Sequence, residues 1–392
     1  MKTKPKEEIK SVEAKPEKNF FVNMLTRDIE LKDAVLDLLD NCVDGALRTL
    51  AENKKSSDSL NGFWAKITLS KTRFVIEDNC GGIPWEIAKE YAFKMGKPLS
   101  SEKPEGTIGV VGIGMKRAIF KMGRECYVHS HHHEDAFMVS IMPGWFVSNE
   151  WDDFPAERAK MAGSSYGTII EIEKLTEDTE VAFADGSSFR ESFPVAVGEA
   201  YSYLIEKGFK ILIDTKPVQG KPVKLCFEEH QPKRLDGLIR PFVFKWHYDS
   251  VDVFFAVGYR SRFKTQDELN KESEESYSAA DAGWTVLCND RVVLSNDRTL
   301  RTGWEHGGVP RFHNQFSCIA GIVEFHCKDT RKLPITTTKR GIDPGKEVYL
   351  LTLQKMQEAT KHFTKNTNKW KGYEQELKAL RVPRFSGQRH PR

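Results

Sequence analysis

Cysteine is scarce in this 392-residue chain. There are seven, an odd number, scattered at Cys42, Cys80, Cys126, Cys226, Cys288, Cys318 and Cys327 without a CxxC pair. That excludes a disulfide scaffold and argues against a zinc site, and reduced thiols in a cytoplasm fit best. No uninterrupted apolar run approaches the roughly 20 residues of a membrane-spanning helix, and the charged N-terminus lacks a signal-peptide core. No membrane partner is expected, and a cytoplasmic location is. The net charge of +3 is too small to imply nucleic acid by itself. No internal repeat is present. What remains, 39% hydrophobic and 29% charged residues, describes a soluble globular protein long enough for two domains with separate cores.

Residues 1–18 are rich in Lys and Glu and nearly devoid of apolar side chains, which predicts a mobile arm. From Leu31 to Leu50 the apolar residues Ala34, Val35, Leu38, Leu39, Cys42, Val43, Ala46 and Leu47 recur at helical spacing. Residues 63–77 read as strand, turn and strand. GRECYVHS and DAFMVSIM form another strand pair, and GTIIEIEKL (167–175) is a further strand. The first domain is thus placed at 19–185 and a second at 190–345, with the junction over 183–199. The second mixes strands (FKILID, VDVFFAVGY, GWTVLCND, IAGIVEFHC) with helix, and a C-terminal helix from about Lys346 to Leu380 with a basic tail closes residues 346–392.

Three polar motifs carry the chemistry. Asp37, Asn41 and Asp44 are spaced four and three apart and share one helix face. The amide oxygen of Asn41 is a hard ligand suited to Mg²⁺, and Asp37, one turn away, is placed to orient or deprotonate a water. A solvated polar face would use the same residues. Asp78-Asn79-Cys80-Gly81-Gly82-Ile83 follows an apolar strand. A carboxylate there can accept a hydrogen bond from a purine amino group while glycines let a flat base approach; an Asx-type turn is the structural alternative. Gly109, Gly112 and Gly114 run into Met115-Lys116 and a helical segment. Glycines there can turn backbone N–H groups toward an anion, and the helix adds its positive end.

In this order, Asp37-x-x-x-Asn41, Asp78-x-x-Gly81-Gly82, Gly109-x-x-Gly112-x-Gly114-Met115-Lys116 and Gly167-Thr168 resemble the ATP-binding fold shared by gyrase B, the ninety-kilodalton heat-shock chaperone, histidine kinases and MutL. The resemblance implies an α+β architecture: a two-layer α/β sandwich, the Bergerat ATP-binding fold, followed by a mixed α/β transducer-like domain. It implies ATP and Mg²⁺ as cofactors. Asn41 would bind the metal, Asp78 the adenine amino group, and Gly82 would lie beneath the base. Gly112, Gly114 and Lys116 would meet phosphates, and Thr168 would support Asp78 and adenine through its hydroxyl. Asp44, Ile83, Gly109 and Met115 complete the expected nucleotide-binding set, and residues between Trp85 and Thr107 would form a lid. Two positions depart from the family's usual pattern. Asp37 stands where Glu is usual as general base, and Cys80 stands where Gly is usual. Binding is therefore a firmer expectation than fast hydrolysis.

Leu333-Pro334-Ile335-Thr336-Thr337-Thr338-Lys339 resembles the loop that carries a basic residue to the γ-phosphate in the chaperone, MutL and microrchidia branch. Lys339 joins Asp37 as an expected catalytic residue because a cation there stabilises charge on a transferring phosphoryl group; Arg340 is the fallback, and a Thr-rich surface loop the alternative. The resemblance implies a slow ATPase switch that dimerises on ATP through the segment before the first helix, with Phe20, Phe21 and Met24 as contacts. A protein kinase of the same fold and an ATP-sensing scaffold without turnover are the alternatives. The chain ends soon after the transducer-like domain, so a partner subunit is expected to supply the effector. The basic residues from Lys361 to Arg392 suit DNA phosphates, an acidic partner or simple solvation. His129, His131, His132 and His133 are expected at a solvent-exposed hairpin tip rather than on a metal. Trp284 and Trp304 are expected to pack.

Overall fold

The structure is a computed structural model that describes residues 17–95, 113–159, 166–225, 240–260, 279–336, 338–339 and 341–370. Residues 1–16 of the arm expected over 1–18, the lid beyond Met95, Gly109, Gly112, Arg340 and the tail after Trp370 lie outside the described residues. Lys18, expected in the mobile arm, instead begins the first helix and is buried, its Nζ donating to the Glu150 carbonyl at 2.6 Å.

The first unit opens with α1 (Lys18–Arg27) and α2 (Leu31–Glu52), followed by the hairpin β1 (Trp64–Leu69) and β2 (Arg73–Asp78). A short α3 (Trp85–Ile87) leads toward α4 (Gly114–Met122), which runs into β3 (Gly123–His131). Then come β4 (Ala136–Ile141), α5 (Pro143–Val147), β5 (Ala156–Arg158) and β6 (Gly167–Leu175). Helices α6 (Glu177–Phe183), α7 (Ser188–Ala200) and α8 (Ser202–Glu206) precede β7 (Lys210–Ile213) and β8 (Lys216–Pro217). The eight strands form one sheet in the order β5-β4-β3-β6-β2-β1-β7-β8. The expected apolar face of α2 is buried, but so are Leu36, Asp37 and Asp40. This helix is therefore covered on more than its sheet side, which is why a charged group can be fixed on it.

One strand corrects the domain reading. FKILID was expected in the second domain, yet β7 pairs in parallel with β1, aligning Ala65 with Ile211 and Ile67 with Ile213. The first sheet therefore runs past the expected junction to Pro217. Buried Ile211 and Ile213 satisfy alternation in any sheet, so the pattern names a strand without naming its neighbour.

The second unit holds β9 (Phe242–Tyr248), β10 (Val251–Tyr259), β11 (Gly283–Cys288), β12 (Arg291–Asp297), β13 (Ile319–His326) and α9 (Glu347–Trp370). Its five strands are ordered β12-β11-β13-β10-β9. Trp284 and Trp304 are buried, as expected for packing residues. The Trp284 ring lies over Gly321, where a Cβ would collide with it, and its indole N–H donates to Thr360 Oγ1 of α9 at 3.0 Å. Both units thus have the mixed α/β character of an ATP-binding sandwich followed by a further α/β domain. Among the described residues no helix is long and apolar enough to cross a membrane.

Candidate functional site

Helix α2 brings four polar groups into one region. Asp37 and Asp40 are buried, Asn41 is exposed, and Asp44 is partly covered. Asp37 Oδ2 pairs with Arg117 of α4 at 2.5 Å, and its Oδ1 lies 3.5 Å from Lys339 Nζ. Lys339 also donates to Asp40 Oδ2 at 2.7 Å. The loop expected to deliver a cation from the second domain therefore ends between two carboxylates of α2.

Asp40 is the residue that sequence reasoning missed. Its Oδ1 accepts from Tyr201 Oη at 2.6 Å and from Arg291 Nε at 3.0 Å. Burial alone would raise its pKa, but the Lys339 and Arg291 cations prevail and hold it below the ordinary carboxylate value. Burial likewise works against the Lys339 ammonium, and Asp40 with Asp37 outweighs it, leaving that pKa raised. Arg291 stacks over the Tyr201 ring at 4.6 Å. No local spacing announces these contacts, because Arg291 and Lys339 lie hundreds of residues from α2.

The residues expected to meet the base gather where β2 ends. Asp78 Oδ1 accepts from the Cys80 amide at 2.8 Å and from the Thr168 amide at 3.2 Å. This corrects the expectation for Thr168, whose backbone rather than hydroxyl reaches Asp78. The neighbouring Gly167 is required, since a Cβ there would collide with the Asp78 carbonyl. Burial pushes the Asp78 carboxyl up to about 6, against the bonds from Cys80, Cys42 and Thr168 that favour its charge. Such a carboxyl gains from an added donor.

Gly82 adopts φ +71, and a Cβ there would strike the His131 carbonyl. Its own carbonyl is held by Arg48. Ser130 Oγ accepts from the Ile83 amide at 2.7 Å and donates to the Ile83 carbonyl at 3.0 Å. Cys80, the departure from the family pattern, is buried and matched by Gly45, where a Cβ would lie 3.2 Å from Cys80 Cβ. Glycine at position 45 leaves room for the larger residue at 80.

Of the residues expected to meet phosphates, Gly114 begins α4 and faces Asp37, so that a Cβ would sit 3.3 Å from Asp37 Cγ. Met115 is buried beside it. Lys116 departs from expectation: it is buried, and its Nζ donates to the Ala92 carbonyl at 2.7 Å. Burial lowers its pKa to about 8. That bond ties α4 to the segment after α3. The histidine turn also differs, because His132 is buried rather than at an exposed tip.

The donor chemistry suits Mg²⁺ and a nucleotide. Asn41 offers an exposed amide oxygen one turn from Asp37, Asp78 offers an acceptor, and Gly114 leaves the space facing Asp37 free of a side chain. Residues 29–158 match the family model described as histidine kinase-, DNA gyrase B- and HSP90-like ATPase. No curated protein matches the chain. The family match lies within the segment that builds the sandwich, and together they support ATP binding and a nucleotide-driven switch. The first domain is thus similar to the ATPases that share the gyrase B, HSP90 and histidine-kinase fold.

Proposed function

We propose that this chain is a slow ATPase whose nucleotide state sets the relation between its two domains. The observation that carries the reading is the Lys339 ammonium of the second domain, 2.7 Å from Asp40 and 3.5 Å from Asp37 on α2. A cation on that loop is within reach of chemistry at Asp37 and can report on added negative charge there.

In this reading Asp78 accepts the adenine amino group, and Asn41 would hold Mg²⁺, which would supply charge neutralisation at the phosphates. Asp37 orients and deprotonates the attacking water, and Lys339 stabilises charge on the transferring group. To act on a water, Asp37 must loosen its pairing with Arg117 and Lys339. Its shorter side chain adds to slow turnover, since about 1 Å of misplacement can cost roughly 100-fold. ATP-dependent dimerisation through α1 is supported by the exposure of Phe20 (68%) and Met24 (49%). The client is a macromolecule, DNA or a partner protein.

The test is nucleotide binding and phosphate release by the full chain and by Asp78→Asn. Binding of ATP by the wild type, weakened about tenfold or more in the variant, is expected because a mixed amide replaces an acceptor-only group. Unchanged affinity in Asp78→Asn would remove the pocket from consideration. Labelled phosphate transferred to protein, with none released, would favour a kinase.

A further inference from the structure

The turn after β3 places a histidine where none is expected to be stable alone. His132 is 4% exposed, and among the described residues neither its Nδ1 nor its Nε2 has a hydrogen-bond partner. A buried imidazole normally satisfies at least one ring nitrogen, so this side chain calls for a missing partner. Its surroundings indicate which kind. One ligand atom each of Glu52, His132 and His133 lies within 4.8 Å of the others. The two imidazole rings are 4.0 Å apart and inclined by 54°, so they are not stacked flat against each other.

We propose that Glu52, His132 and His133 form a zinc site. Two imidazole nitrogens and one carboxylate oxygen are a borderline-soft set that suits Zn²⁺ and leaves a fourth position for water. Glu134 lies 3.6 Å from His133 and adds a second negative charge beside the group. Arg48 is the opposing cation, 3.9 Å from Glu52, but its guanidinium is also bound to the Gly82 carbonyl. The other cluster of this kind among the described residues, Asp290, Glu324 and His326, has Asp290 already paired with Lys207 Nζ at 2.5 Å.

The location gives the site a purpose. Glu52 ends α2, and His132 follows β3 in the turn closed by the His132 amide on the Asp135 carbonyl at 2.8 Å. Between them lie Gly81 and Gly82, with Thr49 of α2 donating to the Cys80 carbonyl at 3.0 Å and the His131 carbonyl set against Gly82. Zinc would clasp the end of α2 to the β3–β4 turn across this glycine pair. The site stands whether or not the adjoining pocket takes ATP.

The test uses the full chain stripped of metal by a chelator and titrated with Zn²⁺ against a chromophoric competitor at neutral pH. One zinc per chain with micromolar or tighter affinity is expected, together with a higher melting temperature. Glu52→Gln alters an exposed residue and leaves the fold intact, and it is expected to weaken zinc binding by about tenfold or more, as is His132→Ala. The melting shift should vanish in Glu52→Gln. Absence of saturable uptake would overturn the proposal, and so would one zinc bound equally by the wild type and Glu52→Gln.

Discussion

Asp78 is a carboxyl whose surroundings make it a proton-sensitive acceptor. Its folded pKa of about 6 lies above the ordinary value of 3.8. Folding therefore favours its protonated form, and the associated stability is present at low pH and lost as pH rises from 4 through 6. An amine donor from a bound base needs the ionised form, so binding below pH 6 must also expel a proton. Adenosine affinity is expected to be level above about pH 7 and to fall toward tenfold per unit below about pH 5. Adenosine avoids the titration of phosphate. Calorimetry on the wild type and Asp78→Asn checks this, and the variant should show no such slope. A slope persisting in Asp78→Asn would assign the proton to another group. At the same scale, Asp37 tests the water-activating role. Asp37→Ala is expected to keep ATP bound while abolishing phosphate release, and Asp37→Glu, which restores the usual side-chain length, to raise the rate. If both variants hydrolyse as the wild type does, Asp37 is not the base. If only Asp37→Glu turns over, the wild type is an ATP-sensing scaffold.

At the scale of elements, the glycines of the pocket divide into those that make room for backbone and those that face side chains. Gly82 is of the first kind, with φ +71 and the His131 carbonyl in the place of a Cβ. Gly114 is of the second kind, helical and facing the Asp37 side chain at 3.3 Å. Gly82→Ala is expected to cost about 2 kcal/mol or more of unfolding free energy, combining left-handed backbone strain with displacement of the β3–β4 turn. Gly114→Ala should change stability by less than about 1 kcal/mol, because helix propensity favours alanine. Chemical denaturation of both variants decides it, and equal costs would refute the distinction. The same elements show what the sequence could disclose. Helix α2, the β1–β2 and β3–β4 pairs and β6 were legible, because their apolar periodicity is a local property. The membership of β7 was not, because Ile211 and Ile213 alternate alike in either sheet and only pairing with β1 decides. His132 was misread because polar residues in a turn point on average to water, whereas this one is covered by elements distant in the chain. Asp37, Asn41 and Asp78 stood out by spacing; Asp40, Arg48, Arg117 and Ser130 did not, since their roles come from partners across the fold.

The whole molecule turns on the joint between its two units. Asp40 receives Tyr201 from α7's end, Arg291 from β12 and Lys339 from the loop before α9, all within hydrogen-bond distance. Removing this buried carboxylate leaves Arg291 without its carboxylate partner and Lys339 with only Asp37 at 3.5 Å. Asp40→Asn is therefore expected to lower unfolding stability by about 3–5 kcal/mol and to expand the ligand-free protein in solution scattering. Removing Lys339 is a different perturbation, because Asp40 keeps Arg291 and Tyr201. Lys339→Ala should leave the fold and ADP affinity nearly intact while slowing phosphate release by about 100-fold or more, if its cation acts on the transferring phosphoryl group. Single-turnover hydrolysis with ADP binding measured in parallel separates the possibilities. An equal loss for ATP and ADP would mark a folding defect. Unchanged hydrolysis would confine Lys339 to holding the two units together, and the switch would then have to sense γ-phosphate by another group.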